Sequence, residues 1–205
     1  VPTLLLIRHG ENDYFAHNKL PGHNPNIHLN KRGLEQAEEL ERTLNKLPIK
    51  VVYASPLERA VETASPLARS LGMEVQLKPG LADIDVGTWT GRSWRVLSRT
   101  KQGKLIQETP SRFQFPDGES FVQVQERVVT VLDSMAVAHK DELVAVVFHA
   151  DPIKLAVAHY LGLPLDQFQR FVIFPGSVTV LRLDGSNVRL LALNLIPPFT
   201  LPHIK

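Results

Sequence analysis

Cysteine is missing from all 205 residues, so the chain has no disulfide framework, no thiolate metal site and no cysteine nucleophile. A marked excess of either charge is missing as well: 23 Lys and Arg face 21 Asp and Glu, a formal net charge of +2. The basic residues are dispersed among acids, as in RTLNK and SRTKQGK, with no aromatic-interleaved stripe, which argues against a nucleic-acid partner. Any anion must therefore be held at a local site. Long apolar runs are lacking too. The first, Leu4 to Ile7, stops at Arg8 and His9, too short for a signal peptide or a membrane anchor. No repeat or low-complexity tract occurs. The expectation is a soluble cytoplasmic protein with no membrane partner and, at this length, one ordinary domain with a real core.

What is present alternates. TLLLI (3–7), KVVYA (50–54) and LVAVVF (143–148) are short runs rich in branched residues and read as buried parallel strands. Between them, Leu34, Ala37, Leu40, Leu44 and Leu47 recur at helical spacing, as do Leu57, Ala60, Ala64, Leu67 and Leu71. Ser55, Pro56 and Glu58 form a helix-start signal with Ser as cap, and Ser120 with Gln123 repeats it ahead of a helix running to about Ala138. Asp151 before Pro152 reads as the cap of a last helix, to about Leu161. Further strands are expected at 171–174, 177–183 and 187–195, the last two joined by a hairpin at DGSN. The pattern predicts an α/β fold: a three-layer α/β/α sandwich with a mostly parallel central sheet. Residues 85–119 break the rhythm and read as a small helical lid insertion, so the domain spans 1–196 and 197–205 form a C-terminal tail. The apolar PPFTL of that tail could dock on a neighbouring subunit, which admits a homo-oligomer.

In open α/β sheets, ligands bind beyond the carboxyl ends of the strands. The first strand ends in RHGEN (8–12), the second leads through YASP into a helix carrying Arg59, and the third ends at FHAD with His149. Successive strand side chains point to opposite faces, so Arg8 and His9 serve one ligand only if the backbone leaves strand geometry, a departure Gly10 makes cheap. Two arginines and two histidines gathered at strand ends would repel one another, and the cluster makes sense as a pocket for a tetrahedral dianion such as phosphate. A neutral His9 held in line could itself attack phosphorus.

RHGEN, SPLERAVETA (55–64), LADIDVGTWTG (81–91) and FHADPIK (148–154), in this order across nearly the whole chain, resemble the histidine phosphatase superfamily, which contains the cofactor-dependent phosphoglycerate mutases. The resemblance implies a phosphohistidine mechanism without metal or cofactor. His9 would be the nucleophile; Arg8, Arg59 and His149 would clamp the phosphoryl group, and an acid would protonate the leaving oxygen of a small phosphorylated substrate. That acid is usually Glu, and Asp83 stands in its place, one methylene shorter, with Asp85 nearby as an alternative. Some acid phosphatases of the superfamily use an Asp immediately after the second His. Here Ala150 intervenes, and Asp151 reads as the helix cap. A second departure is Phe15 where many members have Asn, so Asn12 or Asn18 would supply that phosphate contact. LPG (20–22) matches the family's substrate loop by spacing, and that resemblance implies a backbone contact from Gly22 to substrate.

His17, His23 and His28, spaced by six and five, do not share a helical face and read as solvated loop residues rather than metal ligands. His139 and His159 fit helix ends, His203 lies in the tail, and Trp89 and Trp94 read as packing groups. Arg95 and Arg99 would share a helix face in the lid, near Arg92. The leading expectation is a phosphomonoester hydrolase. A phosphomutase comes next, and a non-catalytic phosphate-binding protein last, which would gain force if Asp83 pointed away from the pocket.

Overall fold

A computed structural model describes residues 1–185 and 187–201, which places His203 and Ser186 of the DGSN turn outside the described residues. The branched aliphatic runs become the middle of a six-stranded sheet: β1 (Thr3–Arg8), β2 (Ile49–Ala54), β3 (Val75–Leu77), β4 (Leu143–Phe148), β5 (Val178–Asp184) and β6 (Asn187–Leu195). Their spatial order is β3-β2-β4-β1-β5-β6. β1 to β4 run parallel, and the β5–β6 hairpin closes one edge antiparallel to β1. Alternation along the strands sorts the core into two layers. Leu5, Ile7, Val52 and Val147 face α2 (Lys31–Leu44) and α3 (Glu58–Ser70). Leu4, Leu6, Val144 and Val146 face α6 (Phe121–Ala138) and α7 (Ala150–Tyr160). The expected three-layer sandwich is what forms. Short helices α1 (Asp13–Ala16), α4 (Trp94–Leu97) and α5 (Lys101–Glu108) lie in the loops over the carboxyl ends of the strands.

Cap chemistry holds in part. Ser120 and Gln123 form a complete capping box on α6, and Asn30 caps α2 by accepting from the Gly33 amide. The other two expected caps do not form: α3 begins after Leu57 with no side-chain cap, and His149 occupies the cap position of α7, which puts Asp151 inside the first turn. Ser55 and Asp151 are turned to other partners described below.

Residues 171–174 form no strand and have no ladder partner, because β5 already fills the edge of β1. The three-residue edge strand β3 was invisible to period-2 reasoning, since VQL completes one alternation only. Leu34 is half exposed rather than part of the α2 stripe. Within 85–119 the one helix longer than a turn is α5, and α4 ends at Leu97, so Arg95 and Arg99 share no helix face. Phe199 and Leu201 of the tail fold back against the chain's own α2–α3 layer. Among the described residues no helix is long and apolar enough to cross a membrane.

Candidate active site

β2, β4 and β1 are neighbours in the sheet, so their carboxyl ends lie side by side. The ladders continue one step beyond the strands: the His9 amide donates to the Phe148 carbonyl at 3.0 Å and the Ser55 amide to the Val147 carbonyl at 2.9 Å. One strand spacing then separates the two imidazoles, whose ring centroids are 5.1 Å apart at an interplanar angle of 61°. Three motifs far apart in the chain thus meet at one edge.

His9 is buried and has left the strand. Its Nδ1 lies 2.7 Å from the Gly10 carbonyl. A carbonyl only accepts, so Nδ1 carries the proton and a neutral ring presents a bare Nε2. Burial, reinforced by His149, Arg59 and Arg8, holds the imidazole well below the ordinary histidine range, so the ring is neutral near pH 7. The role of Gly10 is close packing rather than an unusual φ. A Cβ there would sit 2.6 Å from the Gly33 carbonyl oxygen, so two glycines let the loop that carries His9 rest on the start of α2. The Gly10 amide donates to Thr63 Oγ1 at 2.9 Å, and that hydroxyl donates on to the Arg59 carbonyl at 2.7 Å.

Arg59 is fully buried. Its Nη2 donates to Asp83 Oδ2 at 2.9 Å and to the Gly22 carbonyl at 3.1 Å, while Nε and Nη1 find no protein partner. Two unpaired donors on a buried cation are costly unless an anion takes them. Asp83 therefore points into the cluster, with His149 Nδ1 3.5 Å from the same Oδ2. His149 is buried and held well below its usual range, by burial first and then by Arg59 and Arg127. Its Nε2 is 2.8 Å from Ser55 Oγ, which also accepts the Leu57 amide at 3.3 Å. With the Ser55 hydroxyl proton donated to Nε2, His149 Nδ1–H faces the cluster.

Arg8, His9, Asn12 and Asp83 line a cavity of about 210 Å³ together with Phe15, Lys19, Pro21, Ala150 and Asp151. Burial outweighs the nearby Asp151 and Asp83 and lowers the Arg8 guanidinium to about 10. Its Nη1 donates to the Ile173 carbonyl at 2.6 Å and its Cζ lies 4.7 Å from the Phe15 ring centroid, so Phe15 supports Arg8 from the wall. Asn12 accepts the Phe15 amide through Oδ1, which turns its NH₂ to other acceptors. Asn18 binds the Arg95 amide and so anchors α4. Gly22 holds Arg59 through its carbonyl and is absent from the cavity wall. Asp85 accepts the Gly87 amide in a tight turn, and Asp151 pairs with Lys154 at 2.6 Å. Arg92, Arg95 and Arg99 are exposed and line neither this cavity nor its neighbour.

Sequence reasoning missed the support beneath Asp83. Arg127 donates to the carbonyls of Gly80, Ala82 and Asp83 at 3.0, 2.8 and 2.8 Å, and its fork pairs with Glu119 at 2.7 and 2.8 Å. Glu119 in turn accepts the Asp85 amide at 2.9 Å. His23, read as solvated, lies with Nε2 2.5 Å from the Asp83 carbonyl, and His28 is paired with Glu62. The available signal was Arg127 itself, a cation placed i+3 from Val124 and i−4 from Val131 on an apolar stripe. Trp89 is buried against Phe113 and Phe115, as a packing group should be. Among the described residues no cluster of three or more His, Asp or Glu could hold a metal ion.

Residues 4–196 match the family profile of the histidine phosphatase superfamily (branch 1). The chain belongs to the histidine phosphatase superfamily. It is 29% identical to phosphoserine phosphatase 1 of Hydrogenobacter thermophilus over 195 residues, covering 94% of this chain and 92% of that one. It is equally, 29%, identical to the 2,3-bisphosphoglycerate-dependent phosphoglycerate mutase of Thermoplasma acidophilum, over 88% of this chain and 86% of the relative. The fold superposes on Bacillus stearothermophilus YhfR with a TM-score of 0.89 at 24% identity, covering 96% and 98% of the two chains. As a histidine phosphatase, the chain is a phosphoryl-transfer enzyme with both phosphatases and mutases among its relatives.

Proposed function

We propose that the chain is a phosphomonoesterase that needs no metal and works through a phosphohistidine at His9. The observation that carries this reading is the Nδ1 contact to the Gly10 carbonyl, which leaves the Nε2 lone pair of a neutral, buried imidazole beside three cationic or donor groups. In the first step Nε2 attacks phosphorus, the ester P–O bond breaks, and the leaving oxygen takes a proton from Asp83. In the second, water gives that proton back to Asp83 as its oxygen attacks phosphorus and the P–N bond breaks. Arg8, Arg59, His149 Nδ1–H and the Asn12 NH₂ hold the phosphoryl oxygens. Arriving phosphate takes the two unpaired donors of Arg59, Nε and Nη1, and so sits beside the Asp83 oxygen that Nη2 holds. Because Asp83 faces the cluster, the non-catalytic reading loses its main support. Gly22 acts through Arg59 rather than on substrate.

A phosphomutase differs in the acceptor of the second step, a substrate hydroxyl instead of water. An assay for interconversion of 3- and 2-phosphoglycerate alongside phosphate release separates the two. The decisive test of the nucleophile is trapping. Wild type mixed with a ³²P-labelled ester and quenched in base retains label on His9, and His9→Ala retains none. Turnover of an aryl phosphate by that variant at the wild-type rate would overturn the reading, and full activity in excess chelator is expected. A small phosphorylated substrate also fits a cytoplasmic place of action, to be checked by fractionation, and light scattering would establish whether the chain self-associates.

A further inference from the structure

Beside the phosphate cavity lies a second chamber of about 200 Å³, and Asp151 belongs to the walls of both. Its interior is made by Ile84, Val86, Ile106, Phe115 and Phe121, all buried, with Leu20 and Trp94 at the rim. The lid segment supplies Trp94, Ile106 and Phe115. The polar groups that reach the chamber each have a protein partner. Asp151 is paired with Lys154 at 2.6 Å, Lys154 also lies 5.2 Å from the Phe168 ring, and Gln169 donates to the Ile106 carbonyl at 3.1 Å.

We infer that this chamber seats the alcohol portion of the substrate, and that this portion is apolar and about the size of one aromatic ring or a short alkyl chain. The inference rests on the phosphate-pocket reading and adds the substrate class to it. Three features carry it. Seven of the ten lining side chains are aliphatic or aromatic, and hydrocarbon that replaces water against such a surface is held favourably. Lys154 is held between Asp151 and the Phe168 ring and the Gln169 amide on the Ile106 carbonyl, so few polar groups of the wall face a substrate, and polar groups entering without partners would lose their water uncompensated. In the wall that the two cavities share, the charges of Asp151 and Lys154 offset each other, so it offers no net positive charge to a second acidic group on the substrate. A phosphoester bridging the cavities places its ester oxygen near Asp83 and its hydrocarbon under the lid.

The test is a series of primary alkyl phosphates with equal leaving-group chemistry: ethyl, butyl, hexyl and phenethyl phosphate, compared with phosphoserine and 3-phosphoglycerate. kcat/KM is expected to rise by about fourfold per buried methylene until the chamber is full. Phenethyl and hexyl phosphate should then exceed phosphoserine by a factor of about a hundred or more. Trp94→Lys and Leu20→Lys, both at the partly exposed rim, should collapse the hexyl-to-ethyl ratio toward one; two variants guard against one misfolding, checked by circular dichroism. A flat chain-length series, or phosphoserine as the better substrate, overturns the inference while ³²P-labelled His9 leaves the phosphohistidine reading standing. Loss of His9 labelling with every ester overturns that reading, and this inference with it.

Discussion

At the residue scale the site depends on how each side chain's second partner restricts its first. Gly10 sets the His9 tautomer, Ser55 holds Nε2 of His149 so that Nδ1 faces Asp83, and Arg59 joins Asp83 to the Gly22 carbonyl. Asp83 is one methylene shorter than the usual family acid, and its Oδ1 is tied to the Ile84 amide at 3.0 Å, so only Oδ2 faces the cluster. Asp83→Asn keeps this shape and removes the proton. It should slow alkyl phosphates by a factor of about 10² to 10⁴, and nitrophenyl phosphate, whose leaving group hardly needs a proton, much less. Paired kcat/KM measurements check this; equal losses on both esters would move the acid elsewhere. Much of this scale was legible in the chain. Arg8, His9, Arg59, Asp83 and His149 could be named from motif order, because the chemistry demands those residue types. The partners that orient them were not, because Ser55 also fits a helix-cap signal and His23 also fits a solvated loop.

At the element scale, Asp83 is carried by a loop between two short turns, and Arg127 of α6 braces that loop. Arg127 takes three of its carbonyls and is itself fixed by Glu119. Arg127→Met would leave those carbonyls and the Glu119 carboxylate without their donor. We expect a loss of about 2 kcal/mol in stability, tempered by the pair's partial exposure, together with a lower kcat for alkyl esters. Arg127→Lys should recover charge but not the fork, and so only part of kcat. Denaturant titration and ester kinetics on both variants test this. If stability falls while the ratio of alkyl to nitrophenyl rates stays at the wild-type value, the clamp supports the fold and not the acid. The elements themselves follow from local pattern where runs are long, as in α6, and escape it where they are short, as in β3 and α4.

At the scale of the whole molecule, two neutral imidazoles buried among arginines couple the site to stability. An unfolded histidine takes up a proton near pH 6.5, whereas His9 and His149 in the fold do so only at markedly lower pH. Between those values the unfolded chain binds more protons, so stability rises with pH and is lost as pH falls below about 6.5. Each ring contributes a slope of up to about 1.4 kcal/mol per pH unit. Urea titrations from pH 7.5 to 5 should show this decline, and His149→Asn should make it shallower. An unchanged slope would mean that His149 gains its proton in the folded state as readily as in the unfolded one.

The sequence by itself determined the α/β architecture, because alternation of buried aliphatic runs with amphipathic stripes admits few other packings. It also determined the residue types of the pocket, because an anion needs those charges. Only the tertiary structure decided that β2, β4 and β1 are neighbours, bringing His9 and His149 within one strand spacing. It alone decided that Arg127 grips the acid loop and that an apolar chamber adjoins the phosphate cavity. Those features arise from contacts between segments far apart in the chain, which no local pattern encodes.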